Sequence, residues 1–288
     1  MRADRARQGA PRGDARRDPV GQRRHFLALG HSAALRTAAA LLLLGTLGGA
    51  ARGDEPDPRA VQPERPTVAT HAYSVAPGFL ETEAGVEFDR ERGGDSAFFA
   101  PLVAKIGLAA RLQLNFSSGV LRAPRSPAGF GDVALGLKWR VGAKTPLLGD
   151  FALLPAVKFP SGSARASTGT TDLSILAISS RKLGSVGLDL NAGYVRRSGS
   201  GSSGPRESTL WAASFSGPLG GPFGFNAELF GYPGTGGRSG AAPVVGVTVG
   251  PTWQPRPWIA FDAGAIVRVS GPQPNAAYAG MTWNVGRL

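Results

Sequence analysis

The chain has 288 residues, with 42 Gly, 23 Pro, no Cys, 18% charged residues and a formal net charge of +12. The missing Cys exclude disulfide scaffolds, Cys-ligated zinc or iron–sulfur sites and thiol nucleophiles. A mean hydropathy of −0.06 with a single long apolar run excludes a multi-helix membrane protein, and glycines without a three-residue period exclude collagen.

The first predicted element is a leader. Nine arginines between Arg2 and Arg36 precede an apolar stretch, Thr37 to Ala51, that is too short to span a bilayer comfortably, and small residues follow at Ala51-Arg-Gly53. A positive region, a short apolar core and a small-residue cleavage site read as a secretory signal peptide over residues 1–53. Arg23-Arg24-His25-Phe26-Leu27 resembles a twin-arginine export signal. That route carries folded proteins, and a protein whose outside surface is apolar should not fold before it reaches its membrane, so the match is read as fortuitous. Removing residues 1–53 takes away ten Arg and three Asp, which leaves 22 basic and 17 acidic residues and a net charge of +5. Most of the basic excess thus belongs to the leader, and no nucleic-acid partner is expected.

Residues 54–72 are Pro-rich and polar and read as a flexible periplasmic linker. From residue 73 to 288 the chain divides into segments of about ten residues with a two-residue period. In the first, Leu80, Thr82, Ala84, Val86 and Phe88 share one face, and Glu81, Glu83, Gly85, Glu87 and Asp89 share the other. Twelve strands are predicted, at 79–89, 97–107, 110–119, 130–142, 150–159, 171–181, 185–196, 207–216, 222–231, 243–253, 257–268 and 276–288. Short turns alternate with longer polar connectors at 90–96, 119–129, 161–170, 198–206 and 232–242. An even strand count with short turns on one rim and long loops on the other is the layout of an outer-membrane barrel, and such segments are long enough for a tilted crossing of the hydrocarbon layer. The predicted fold is therefore all-β, a transmembrane antiparallel up-and-down β-barrel of about twelve strands. A soluble barrel shares the period but packs an apolar interior under a charged surface. Here one face is Leu, Val, Phe and Trp and the other mixes Gly with polar and charged residues, which favours lipid outside. Aromatic residues from Phe98 and Phe99 through Phe130, Trp139, Phe151, Phe159, Tyr194, Trp211, Phe230, Tyr232, Trp253, Trp258 and Tyr278 to Trp283 lie mostly near strand ends, as interfacial girdles require.

The segment Gly129-Phe-Gly-Asp-Val-Ala-Leu-Gly-Leu-Lys-Trp-Arg140 resembles a strand of the meta-pathway phenol-degradation family of outer-membrane barrels. Pro77-Gly78 followed by Glu81, the stretch Leu154-Pro155 to Phe159-Pro160-Ser161-Gly162, Gly169 to Asp172, and Leu188-Asp-Leu-Asn-Ala-Gly-Tyr194 are similar as well. The resemblance runs over most of residues 73–288. It implies an outer-membrane barrel labelled a transporter, with no catalytic residue to carry over. Such barrels usually end in an aromatic residue read by the assembly machinery, whereas this sequence ends Val285-Gly-Arg-Leu288.

The three His are His25, His31 and His71, so none lies in the predicted barrel. Neither a Ser-His-Asp arrangement nor a His-ligated metal is expected there. The acids of the first strand are read as a pore wall rather than a paired-carboxylate hydrolase. The Gly-rich tips at 199–204 and 234–237 lack the strand-to-helix setting of a phosphate loop. No enzyme activity, catalytic residue, metal or cofactor is expected. The functional expectation rests on the inward face, where Glu81, Glu83, Glu87, Arg111, Gln113, Asn115, Lys138, Arg140, Lys158, Asp189, Asn191, Glu228, Asp262 and Arg268 would line a lumen. Charged side chains arranged around a lumen set selectivity in pores. The expected function is a channel or transporter for small solutes, aromatic or otherwise hydrophobic ones included. The alternative is a plugged structural or ligand-binding barrel without transport, in the membrane or soluble in the periplasm. Expected partners are outer-membrane lipid, the barrel assembly machinery and a small solute.

Overall fold

The computed structural model describes residues 57–90, 94–198, 204–236 and 240–288. The predicted leader lies outside these residues. Among the described residues thirteen strands form one closed antiparallel sheet: β1 (Phe79–Arg90), β2 (Ser96–Ala109), β3 (Leu112–Arg122), β4 (Gly129–Phe130), β5 (Val133–Thr145), β6 (Gly149–Phe159), β7 (Asp172–Leu183), β8 (Val186–Arg197), β9 (Glu207–Gly220), β10 (Phe223–Tyr232), β11 (Val244–Arg256), β12 (Ile259–Ser270) and β13 (Asn275–Arg287). Twelve are long and follow one another around the wall. β1 pairs with both β2 and β13, which closes the barrel and leaves no sheet edge to satisfy in lipid. The two-residue β4 pairs with the end of β3 through Val120↔Phe130 and Leu121↔Gly129.

The long strands match the twelve predicted segments except at the fourth, where Gly131 and Asp132 interrupt pairing between β4 and β5. The interruption has a chemical cause: the Asp132 carboxylate accepts hydrogen bonds from the Gly162 and Thr168 amides and from Lys158 Nζ, each at 3.0 Å. Burial opposes ionisation of Asp132, but hydrogen bonds from Ser167, Thr168, Lys158 and Gly162 hold its carboxyl below the ordinary aspartate value. That fastening of the 160–171 loop is fully present above the ordinary aspartate value and is lost as pH falls through the lowered one.

The two rims differ as the connector lengths require. One carries the turns at 110–111, 146–148, 184–185, 221–222 and 257–258, and the other carries the longer loops. Gly184 opens the two-residue turn between β7 and β8 at a φ of +64°, a conformation that hairpin turns of this length demand. The turn rim is the periplasmic one in outer-membrane barrels.

Burial is inverted relative to a water-soluble barrel. Leu102, Phe116, Trp139, Ile175, Leu190, Trp211, Phe215, Leu229, Trp253 and Trp283 point outward and are exposed, while Glu81, Lys105, Gln113, Lys138, Lys158 and Asn284 are completely buried inside. An apolar exterior of this extent is a liability in water and the required surface in lipid. The outer face includes the pair Trp253–Phe261, whose rings stack at 5.3 Å. Four residues assigned from sequence to the outer aromatic girdle belong inside instead, and Phe99 is one of them, lining the lumen opposite Glu87. Phe230, Tyr232 and Tyr278 are buried and join Leu154, Leu176, Ile178, Val195, Leu210, Val244 and Ile266 in an apolar patch on the inner wall of β6 to β13.

Candidate functional site: the occupied lumen

The stretch read from composition as a flexible linker, 54–72, is described from residue 57, and residues 57–78 lie inside the barrel and hydrogen-bond to its inner wall. The irregular segment has no strand partner through most of its length, so each of its amides must find an acceptor elsewhere. Inward side chains supply them. The Gln62 and Glu64 amides donate to Glu81 Oε2 at 2.8 Å and Glu83 Oε1 at 2.7 Å. The Val68 and Ala69 amides donate to the two oxygens of Glu228, at 2.9 and 2.6 Å. Asn191 closes a reciprocal pair, accepting from Thr70 N at 3.0 Å and donating to Thr70 O at 2.8 Å. Ala72 N donates to Ser180 Oγ and Val75 N to Gln113 Oε1, each at 2.8 Å. Prolines fit this role for the reason they fit a linker: Pro63 and Pro66 have no amide proton that needs an acceptor.

The segment enters and leaves at the turn rim. At entry, Val61 N donates to Pro257 O at 2.8 Å and the Arg59 guanidinium lies 5.3 Å from the centre of the Trp258 ring. At exit, Gly78 N donates to Gly107 O at 2.8 Å. Gly107 allows that approach, because a Cβ there would stand 2.1 Å from the Ala76 carbonyl oxygen. The residues between these ends rise into the lumen and return, as a plug.

Two ion-pair groups fix the plug. Lys105 Nζ sits 2.7 Å from both Glu81 Oε1 and Glu83 Oε1 and donates to Gln62 O at 2.5 Å. Lys138 pairs with Glu64 of the plug and donates to His71 O at 3.2 Å. A third contact is more open. The Arg65 guanidinium donates to both oxygens of Asp262 at 3.4 Å and to Ala279 O at 3.3 Å. It lies over Gly85 and Gly280, which face each other across β1 and β13. A Cβ at Gly85 would fall 2.3 Å from Arg65 Cζ, and one at Gly280 would fall 2.4 Å from Nε.

The predicted lumen residues distribute as follows. Glu81, Glu83, Gln113, Lys138, Asn191, Glu228 and Asp262 meet the plug. Asn115 accepts a hydrogen bond from Gln113 Nε2 at 2.7 Å, and Asp189 accepts one from Ser180 Oγ. Glu87 lines the cavity beyond the plug. Arg140 lies near the turn rim, 3.8 Å from Asp150. Lys158 is at the loop rim, 3.0 Å from Asp132 and 2.9 Å from Asp172. Arg268 is also near that rim, where it donates to Gln273 O at 2.9 Å. Arg111 does not line the lumen. It belongs to the two-residue turn before β3 and is exposed, because the strand begins at Leu112, two residues later than predicted. Lys105 was missed although it sits at the centre of the acid cluster. The signal was its register opposite Glu81 on the neighbouring strand.

The plug lies between two cavities. One, of about 160 Å³, lies on the loop side and is lined by Val68, Ala69, Phe99, Leu154, Leu176 and Tyr278, with Glu83 and Glu87 on its acidic side. The other, of about 250 Å³, lies on the turn side and is more polar, with Arg65, His71, Asp189, Asn226 and Asp262 among its walls.

A model of the family described as "Putative MetA-pathway of phenol degradation" matches residues 64–284. The chain belongs to this family. The match begins at Glu64, so the phenol-degradation family model takes in most of the plug as well as the barrel. Among solved structures, an outer membrane channel from Pseudomonas putida F1 is similar with a TM-score of 0.55 at 12% identity, covering 74% of this chain and 97% of that one. The KdgM porin is similar with a TM-score of 0.50 at 9% identity, covering 70% of this chain and 98% of the porin. At these identities the likeness is one of fold: the closed antiparallel barrel of outer-membrane proteins. A comparison with curated proteins finds no match.

Proposed function

We propose that this member of the phenol-degradation family is an outer-membrane channel for small solutes with an apolar, ring-sized body, held shut by residues 57–78. The observation that carries the reading is the plug itself: it parts a mainly apolar cavity on the loop side from a more polar cavity on the turn side. An apolar cavity of about 150 Å³ holds a benzene ring, and the loop-side cavity is of that size. The names of the two similar structures, a channel and a porin, support the same function. In this reading the leader carries the chain across the inner membrane and the assembly machinery inserts it into the outer one.

A plugged barrel that binds without transporting is the second reading, favoured by the number of wall groups committed to the plug. Single-channel recording in planar bilayers separates the two. The channel reading expects brief, infrequent openings of the full chain, shortened when millimolar benzyl alcohol is added on the loop side and unchanged by sucrose. A correctly inserted barrel that never opens would favour binding without transport.

A further inference from the structure

The wall around Arg65 is built like a binding site whose occupant comes from the chain itself. The paired glycines Gly85 and Gly280 remove two inward side chains at one level, which leaves a flat floor on β1 and β13. A planar guanidinium lies on that floor, and the edge of the slot supplies the Asp262 carboxylate at 3.4 Å and the Ala279 carbonyl at 3.3 Å. Both are acceptors, so the slot takes a cation with N–H donors and offers an anion nothing. The wall around it has the same bias. At the depth of the plug, Glu81, Glu83, Asp150, Asp189, Glu228 and Asp262 face inward, while the wall cations at that depth are Lys105, Lys138 and Arg140, the last 3.8 Å from Asp150. Lys105 is already committed to Glu81 and Glu83. Elsewhere on the inner wall, Leu154, Leu176, Ile178 and Leu210 present an apolar surface.

We propose that the slot of Gly85, Gly280 and Asp262 is the seat of the channel's own solute, occupied by Arg65 in the closed state, and that the solutes are small organic cations with a planar N–H-bearing head on an apolar body. Such a solute displaces the guanidinium from Asp262, loosens the plug and crosses a wall whose carboxylates outnumber its ammonium groups. The open channel therefore prefers cations. The inference rests on the channel reading and adds to it the charge of the solute and the residue that recognises it.

The test uses the full chain in planar bilayers, with benzamidinium and benzoate as probes of equal ring size and opposite charge. Benzamidinium is expected to raise the open probability about tenfold, the effect of displacing one charge-assisted contact, and benzoate is expected to leave it unchanged. Reversal potentials in a potassium chloride gradient are expected to show cation preference. Asp262→Asn should abolish the benzamidinium response and weaken the cation preference. Gly280→Ala, which fills the slot but leaves every charge in place, should abolish the response while the preference persists. Heat-modifiable migration on gels confirms that each variant is a folded barrel. Activation by benzoate to the same degree, or anion preference of the wild-type current, overturns the inference and leaves the channel reading standing. Folded barrels that pass no current under any of these conditions overturn both.

Discussion

Replacing Arg65 by alanine raises the open probability of the channel about 10- to 100-fold, a change that single-channel recording reads directly. Arg65 ties the plug to β12 and β13, where its guanidinium meets both Asp262 oxygens and the Ala279 carbonyl. A hydrogen bond to a charged group contributes about 1.5–3 kcal/mol, and each 1.4 kcal/mol is about a factor of ten in an equilibrium. The loss falls on the closed state, because Asp262 would then face the plug without a cation, whereas in the open state water solvates it. Gly85→Ala is the matching control. Its Cβ would stand 2.3 Å from Arg65 Cζ, so the flexible guanidinium must leave its bed although its charge is retained. The same direction with a smaller size is expected. Wild-type gating in both variants would show that Arg65 does not hold the plug.

Replacing Lys105 by methionine destabilises the barrel by about 3–5 kcal/mol, the cost of leaving buried charge without its partner. The side chain is fully buried, as is Glu81, and Glu83 is nearly so. Lys105 is the cation between them, at 2.7 Å from each. The two amides that the plug contributes to these carboxylates, from Gln62 and Glu64, cannot replace a full positive charge. Urea titration of the protein folded into lipid measures the loss. Converting Glu81 and Glu83 to glutamine in the same chain should restore most of it, since the cost comes from the unpaired acids rather than from missing packing. A loss under about 1 kcal/mol, the size of an exposed pair, would mean that water reaches the cluster.

Much of the fold is legible in the sequence because a wall with lipid on one side and polar groups on the other writes itself as strict alternation. In β1, β5, β8 and β10 that alternation places Glu81, Lys138, Asn191 and Glu228 on the correct face. At Arg111 the alternation misleads: it carries no mark of where a strand ends, and a two-residue turn takes up one step of the period. The inner apolar patch is hidden for a different reason. In Phe151-Ala-Leu-Leu-Pro-Ala-Val157 and Leu173-Ser-Ile-Leu-Ala-Ile178 both faces carry apolar side chains, so outward Leu153 and Ile175 mask inward Leu154 and Leu176. Read for both faces, these runs already indicate a lumen that is not uniformly polar. The plug is the largest gap. Low amide count, small residues and scattered charge suit a solvated linker and an irregular chain threaded through a lumen equally well. What distinguishes them is the acceptor set on the wall: Glu81, Glu83, Glu228 and Asn191. Besides Lys105, which meets Glu81 and Glu83, these groups take hydrogen bonds from backbone amides of residues 62–70.

The role of the plug is tested most directly by the single-channel conductance of the full chain beside that of a chain lacking residues 57–72, both shown by heat-modifiable migration to be folded barrels. If these residues close the lumen, the full chain is shut most of the time and the shortened chain conducts steadily at a higher level. Equal conductance and equal open probability in the two would contradict a gate made of the chain's own N-terminal segment.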